Sequence, residues 1–184
     1  MQIAISTDGL ERANKALAHI RGAFPRAVAA ASNRVLEGMR TDVVAETKER
    51  YFAKPSEIRK TLTLKKTSAN SLQGAMISRG ARKSLADYNL TPKSPKKGMK
   101  GIQGAVKRDG IKNIPGAFLL RHGAKYKPYV RTGRGKFGIK MLVSPAIPQI
   151  LKNEETIKIV EQKASERFEK RLDHEVLRVL GMLP

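Results

Sequence analysis

The chain has 184 residues, of which 40% are hydrophobic, and this is enough to bury the core of one domain. Cysteine is absent, which excludes disulfides, thiolate metal sites and cysteine nucleophiles. The formal net charge is +21, from 37 Lys and Arg against 16 Asp and Glu. Because so large an excess of one sign repels itself, it indicates a partner that carries negative charge.

The N-terminal residues show no targeting pattern. Residues 1–8 lack the basic and long apolar regions of a secretory signal. No apolar run in the chain approaches the roughly twenty residues that a membrane span needs. We therefore expect a protein that stays in the cytoplasm when it is made and has no membrane contact.

The N-terminal third predicts a short strand and two helices. Residues 2–6 alternate as a strand and lead to a first helix that Thr7 or Asp8 can cap. Pro25 fits the first turn of a second helix, which runs to about Arg50. Its apolar stripe at three- and four-residue spacing consists of Val28, Ala31, Val35, Met39 and Val43. This helix is roughly 35 Å long, which leaves part of it available to a neighbouring subunit.

The middle of the chain predicts β-structure. Pro55 begins a short helix, after which two alternating runs predict a hairpin with its turn at 67–70. Further strand candidates are residues 102–107, 117–121, 126–131 and 137–143. The last strand has Phe137, Ile139, Met141 and Val143 on one side, which is the pattern of a strand with one buried face.

A loop and a final helix complete the predicted fold. The segment Thr91–Gly101 holds two prolines, two glycines and four lysines, so it predicts a mobile basic loop at about 91–101. Asn153 can cap the last helix, and Gly181 can end it. We therefore expect one α+β domain over residues 1–184, with a mixed or antiparallel sheet in the middle of the chain packed by long N-terminal and C-terminal helices.

Motifs for catalysis and metal binding are missing from the sequence. The three histidines, His19, His122 and His174, lie far apart and lack the local spacing of metal ligands. No Gly-x-Ser-x-Gly and no phosphate-binding Gly-x-x-x-x-Gly-Lys-Ser/Thr occurs. We expect no enzymatic activity, no cofactor, no metal and no small-molecule substrate.

Positive charge is concentrated in residues 91–140. This segment holds fourteen Lys and Arg against a single acid, Asp109, and so contributes +13 of the net +21. Clustered cations favour contact with phosphates, because each contact releases counterions. No recognition-helix or zinc-finger motif is present, so any contact with DNA should be nonspecific.

Aromatic residues alternate with cations from Lys125 to Phe137. This arrangement is typical of proteins that stack single-stranded bases while binding phosphates. It is also typical of two strands joined by a glycine-rich turn, with the aromatic rings in the core. We favour the second interpretation for the aromatic residues and a functional role for the charges.

Three stretches of the sequence carry a resemblance to a known family. They are Ser6-Thr-Asp-Gly-Leu-Glu-Arg-Ala-Asn-Lys-Ala-Leu17 with Pro25-Arg-Ala and Asn33-Arg34; Glu49-Arg-Tyr51 leading to Ile58-Arg-Lys-Thr-Leu-Thr-Leu-Lys-Lys66; and Gly116-Ala-Phe with Arg131-Thr-Gly-Arg-Gly-Lys-Phe137, followed by Ser144-Pro-Ala-Ile-Pro-Gln149. In this order they resemble the prophage minor tail protein Z family, the tail completion proteins of long-tailed phages.

The resemblance implies a structural virion protein of a phage or prophage tail, assembled in the host cytoplasm. It would act in tail completion at the head-proximal end, near the terminator, the tube and the end of the tape measure. Genomic DNA passes there, and the nucleic-acid-facing residues would be Lys93, Lys96, Lys97, Lys100, Arg131, Arg134 and Lys136. A homo-oligomeric ring would repeat this charge around one channel.

Three other interpretations remain open from the sequence. A cellular RNA- or DNA-binding protein of ribosomal character would carry a similar charge and a similar Pro/Lys loop. Alternatively, the basic surface of a virion protein could face an acidic protein instead of DNA. The sequence also fits a phage-derived tail particle that carries no genome.

Overall fold

The computed structural model describes residues 7–133 and 138–182. Its helices are α1 (Thr7–Leu17), α2 (Ala23–Arg50), α3 (Pro55–Thr61), α4 (Ile147–Ile150) and α5 (Glu154–Val179). Its strands are β1 (Leu62–Lys65), β2 (Ala75–Ser78), β3 (Asn89–Thr91), β4 (Gly101–Ala105), β5 (Lys112–Pro115), β6 (Phe118–His122), β7 (Lys125–Arg131) and β8 (Ile139–Met141).

The predicted helix boundaries follow local signals. Gly22, with φ of 68°, separates α1 from α2, and Pro25 lies in the first turn of α2. The Asn153 side chain caps α5 by accepting a hydrogen bond from the Thr156 amide at 3.1 Å. Gly181, with φ of 72°, follows the end of this helix, as predicted.

The long helices α2 and α5 pack against each other and form the main core. All five residues of the predicted α2 stripe are buried. They meet a stripe of α5 that consists of Val160, Ala164, Phe168 and Leu172. At the rim, the Arg167 guanidinium donates to both carboxylate oxygens of Asp42, at 2.7 and 3.3 Å.

The predicted hairpin is present as the antiparallel pair β1–β2, with Leu62 opposite Ser78. Its turn is fixed to α2 by Asn33, whose side-chain oxygen accepts from the Thr67 amide at 2.9 Å. The Asn33 side-chain nitrogen donates to the Thr67 carbonyl at 3.0 Å. Thr67 is buried, and these two bonds give its backbone amide and carbonyl the hydrogen-bond partners that they need.

The remaining strands form two antiparallel sheets, in the orders β3–β4–β5 and β6–β7–β8. A second, smaller core lies between them and contains Leu85, Leu90, Ile102, Ala117 and Leu119. The α+β prediction is therefore confirmed, with an antiparallel arrangement. The β-structure is divided into three small sheets, because each strand pairs with strands that are close to it in the chain.

One strand prediction needs correction, and two strands were not predicted. The segment 137–143 contributes only Ile139–Met141 to a strand, and Ile139 and Val143 are 42% and 44% exposed. The predicted buried face is therefore wrong, because Leu142 packs against the second core instead. β3 and β5 were not predicted, because both strands are short and each has only one large apolar residue.

The predicted strand at residues 2–6 and the position of Phe137 lie outside the described residues. None of the helices in the described ranges is both long and apolar enough to cross a membrane.

Candidate nucleic-acid interface

Four of the predicted DNA-facing residues lie in one loop. Residues 92–100, here called the lysine loop, connect β3 to β4. Lys93, Lys96, Lys97 and Lys100 are all exposed on it. Their positions are consistent with phosphate contact, since a lysine head on a loop is free to reach a nearby anion.

Arg131 lies at the end of β7, where the chain turns towards β8. Its guanidinium carbon is 5.4 Å from the centre of the Phe118 ring, a cation–π distance. Phe118 begins β6, so this contact holds the arginine beside the start of that strand. Arg134 and Lys136, which follow it in the sequence, lie outside the described residues.

The connection between β5 and β6 brings Arg131 and the lysine loop to the same end of the sheets. The Gly116 amide donates to the Lys100 carbonyl at 3.3 Å, which places this connection against the end of the lysine loop. Phe118 pairs with Tyr129 in the β6–β7 register, so Arg131, two residues further on, lies next to the connection as well. The structure thus brings Arg131 close to the Lys100 end of the lysine loop.

The ion pairs of the chain leave the lysine loop unneutralised. The described pairs join Arg34 and Lys66 to Glu37, Lys60 and Lys83 to Glu57, Arg50 to Glu155, Lys163 to Glu46, Arg167 to Asp42 and Arg178 to Glu175. All of these cations lie outside residues 91–140. Within the described part of the chain, the four lysines of the loop therefore have no acidic partner, and their charge remains available to an external anion.

One cation of the basic segment stabilises the fold instead. Arg108, in the β4–β5 turn, donates from Nε to the Lys48 carbonyl at 2.8 Å, and its amide donates to the Arg50 carbonyl at 2.9 Å. These carbonyls belong to the last turn of α2 and have no partner within the helix. The Arg108 guanidinium also lies 4.9 Å from the centre of the Phe52 ring. Sequence reasoning missed this role, because the contact joins residues about sixty positions apart.

The aromatic residues of the basic segment divide between two environments. Tyr126 packs against the second core, as the favoured interpretation predicts. Tyr129 is stacked on Phe118 with ring centres 6.4 Å apart and is only half-buried. Tyr129 belongs to no described core cluster, so the prediction of a buried ring is wrong for this residue. Phe137 lies outside the described residues.

The family model described as prophage minor tail protein Z (GPZ) matches residues 7–183 of the chain. The chain belongs to this family. It is a structural family of phage tails, so membership indicates a structural role in a tail and contact with other tail proteins. No curated protein and no solved structure matches the chain.

This member of the minor tail protein Z family also has an open cavity of about 630 Å³ between α2, the β1–β2 hairpin and α5. Its lining is mostly aliphatic, and Lys152 is the one charged residue among the described lining residues. No group of three or more His, Asp and Glu within the described ranges could hold a metal ion. The candidate site of the molecule is therefore the basic surface, not the cavity.

Proposed function

We propose that this protein acts in tail completion at the head-proximal end of a phage tail, near the terminator, the tube and the tape measure. The family supports a structural role in the tail. The observation that carries the finer assignment is the cluster formed by the lysine loop and Arg131, because the head-proximal end is where genomic DNA enters the tail. In this account the protein is structural and catalyses no reaction.

The contact with DNA is electrostatic and nonspecific. The four lysines of the loop are exposed and lack acidic partners among the described residues, so a phosphate backbone can neutralise them with release of counterions. A flexible lysine side chain provides a point charge, which binds phosphate without reading base edges. Arg131 adds a cation beside the loop, and we assign Arg134 and Lys136, which are close to it in the sequence, to the same contact with DNA. The loop remains mobile until DNA or a neighbouring protein orders it.

A ring of identical subunits would multiply this effect. Each subunit is one domain, and it presents its lysine loop towards the central channel. Rings form when a heterologous contact closes on itself, and a closed ring repeats each surface charge once per subunit. The repeated charge holds or guides the genome end, and the ring is assembled in the host cytoplasm before it becomes part of the virion tail.

The competing interpretations differ in what the basic surface meets. The family match favours a tail role over a cellular RNA- or DNA-binding protein of ribosomal character. An acidic tail protein could also neutralise the loop. Measurement of duplex DNA binding at several salt concentrations distinguishes this case. If the partner is a protein, DNA binding should be weak and should not depend on the loop lysines.

Deletion of the gene from its phage or prophage tests the tail assignment. Tail completion predicts particles with near-complete tails that have lost infectivity or fail to join filled heads, as seen by electron microscopy. A plasmid copy of the gene should restore infectivity. Normal, infective particles from the deletion would contradict the assignment.

A further inference from the structure

The sheet β6–β7–β8 has a face that the described residues leave uncovered. Residues paired across antiparallel strands point to the same face. The pairs Phe118–Tyr129 and Tyr129–Met141 therefore define one face. Leu120 is two residues from Phe118 in β6, and Ile139 is two residues from Met141 in β8, so both lie on this face as well. We call Phe118, Leu120, Tyr129, Ile139 and Met141 the open face.

The opposite face of this sheet is the one that packs inwards. Leu119 and Val130 lie on it and contact the second core. On the open face, Leu120 and Ile139 are 38% and 42% exposed, and the other three residues are half-buried. None of the five belongs to a described core cluster. Phe118, Tyr129 and Met141 form an apolar row across the three strands, and exposed apolar surface of this kind marks an interaction site.

The charges beside the open face define the partner that would fit it. Lys125 and Lys127 lie on the same side of β7 as Tyr129, because alternate residues of a strand share a face. Neither has an acidic partner among the described residues. Arg131 lies on this side as well, at the other end of β7 and opposite Ile139. A matching surface must therefore be elongated and partly apolar, with negative charge along its length.

The outer side of α5 has this chemistry. Glu166, Glu169, Asp173 and Leu177 follow each other at three- and four-residue spacing and are all exposed. Lys170 lies among them, so the group keeps a net negative charge. The helix as a whole has seven acids against six Lys and Arg, in a chain of net +21. Glu169 and Asp173 form no ion pair in the described part of the chain.

The dimensions of the two surfaces also agree. Three strands at about 4.8 Å spacing are roughly 10 Å wide, which matches the diameter of a helix. The stretch from Glu166 to Leu177 is about 17 Å long, similar to a strand of five residues. We propose that the open face of one subunit packs against the outer side of α5 of a second copy. The proposal rests on the ring of the proposed function and names the surfaces that build it.

This contact is heterologous, since it joins two different surfaces, and repetition of it gives a closed ring or a filament. A second copy fits better than nucleic acid does, because three residues of the open face are aliphatic and offer no ring on which a base could stack. The contact also places the negative charge of α5 beside basic residues of the neighbouring subunit, which reduces the repulsion between copies.

The absence of cysteine allows a direct test by cross-linking. The variants Leu120→Cys and Leu177→Cys, each purified and then mixed, should give a dimer with a short bismaleimide cross-linker, whereas each variant alone should not. The matched control is Leu72→Cys, at an exposed leucine of the β1–β2 segment, which should not cross-link to Leu120→Cys.

Charge changes add a second readout. Glu169→Lys with Asp173→Lys in the Leu177→Cys chain should lower the cross-linked fraction about tenfold. Lys125→Glu with Lys127→Glu in the Leu120→Cys chain should restore most of it.

Three results would overturn the proposed contact. Cross-linking of Leu120→Cys with itself would mean that the open face meets its own copy. A ring detected by native mass spectrometry without the mixed cross-link would place the contact elsewhere, while the tail and DNA assignments would stand. Loss of DNA affinity in Tyr129→Ala with unchanged oligomerisation would make the open face a nucleic-acid surface.

Discussion

The amide of Gly116 donates a hydrogen bond to the carbonyl of Lys100 at 3.3 Å. Through it, the connection between two sheets is joined to the end of the lysine loop. Arg131 lies next to the same connection, because Phe118 pairs with Tyr129. Cations from two separate hairpins therefore lie at one end of the β-structure, and this is the basis of the first prediction.

Replacement of the four loop lysines by glutamine should weaken binding to duplex DNA to the same extent for every DNA sequence. Each phosphate contact contributes about −0.9 to the slope of log K against log salt, so the slope should become shallower by about 3 to 4. Fluorescence anisotropy at several salt concentrations measures this. The matched control replaces Arg12, Lys15, Arg40 and Lys158, four exposed cations of the helices, and changes the net charge equally. An equal loss in both variants would mean that only total charge matters.

The Arg167–Asp42 pair should contribute measurably to the contact between α2 and α5. Asp42 is largely buried, with a side chain 16% exposed, and it accepts two hydrogen bonds from the guanidinium. Asp42→Asn should lower the free energy of unfolding by about 1–2 kcal/mol. Lys163→Gln, which removes a single and more exposed bond to Glu46, should cost under about 1 kcal/mol. Urea denaturation followed by circular dichroism compares the two, and equal costs would argue against a special role of the bidentate pair.

Asn33 should be needed to hold the β1–β2 hairpin against α2. Asn33→Ala leaves the buried amide and carbonyl of Thr67 without partners, at a cost of about 1–3 kcal/mol. Hydrogen exchange should become faster in β1 and β2 before it changes in α5. Asn14→Ala, at an exposed position of α1, serves as the control and should leave exchange in the hairpin unchanged. Unaltered exchange in Asn33→Ala would contradict the account.

Glu57 should make the stability of the folded protein sensitive to acid. Its carboxylate accepts hydrogen bonds from Lys83 and Lys60, and these lysines lower its pKa from 4.5 to about 2. Because the pKa is lowered in the folded state, the stabilisation is present above pH 4.5 and is lost as the pH falls from 4.5 towards 2.

The test for Glu57 is an NMR titration of its side-chain carboxyl. In Lys83→Gln the pKa of Glu57 should rise towards 4.5, and the loss of stability between pH 5 and pH 2 should shrink. Lys60→Gln should have a smaller effect, since Lys83 is the stronger cause of the shift. A pKa that stays near 2 in Lys83→Gln would show that another group is responsible.

The helices could be predicted because their signals are local. The apolar spacing of α2, the glycine at 22 and the Asn153 cap lie within a few residues of the structure that they determine. β3 and β5 could not be predicted in this way. β3 has three residues, and β5 is a polar edge strand that ends in Pro115, so their pairing depends on β4 between them.

The alternation of the segment 137–143 shows a second limit of sequence reasoning. It identifies two faces of a strand, but the packing of neighbouring strands decides which face is buried. Here Leu119 and Leu142 turn inwards, and Ile139 remains outside. The lysine loop could be predicted from composition alone. The capping role of Arg108 was not, because its partners in α2 come close only in the folded chain.

Complementation of a deletion phage tests the central claim most directly. The variant with the four loop lysines replaced by glutamine, and the control with four helix cations replaced, are each supplied to particles that lack the protein. Titre and tail morphology are then compared with those of wild type. The account predicts tails of normal length with strongly reduced infectivity for the loop variant, and near wild-type infectivity for the control. Wild-type infectivity of the loop variant would contradict a role of the lysine loop at the DNA path.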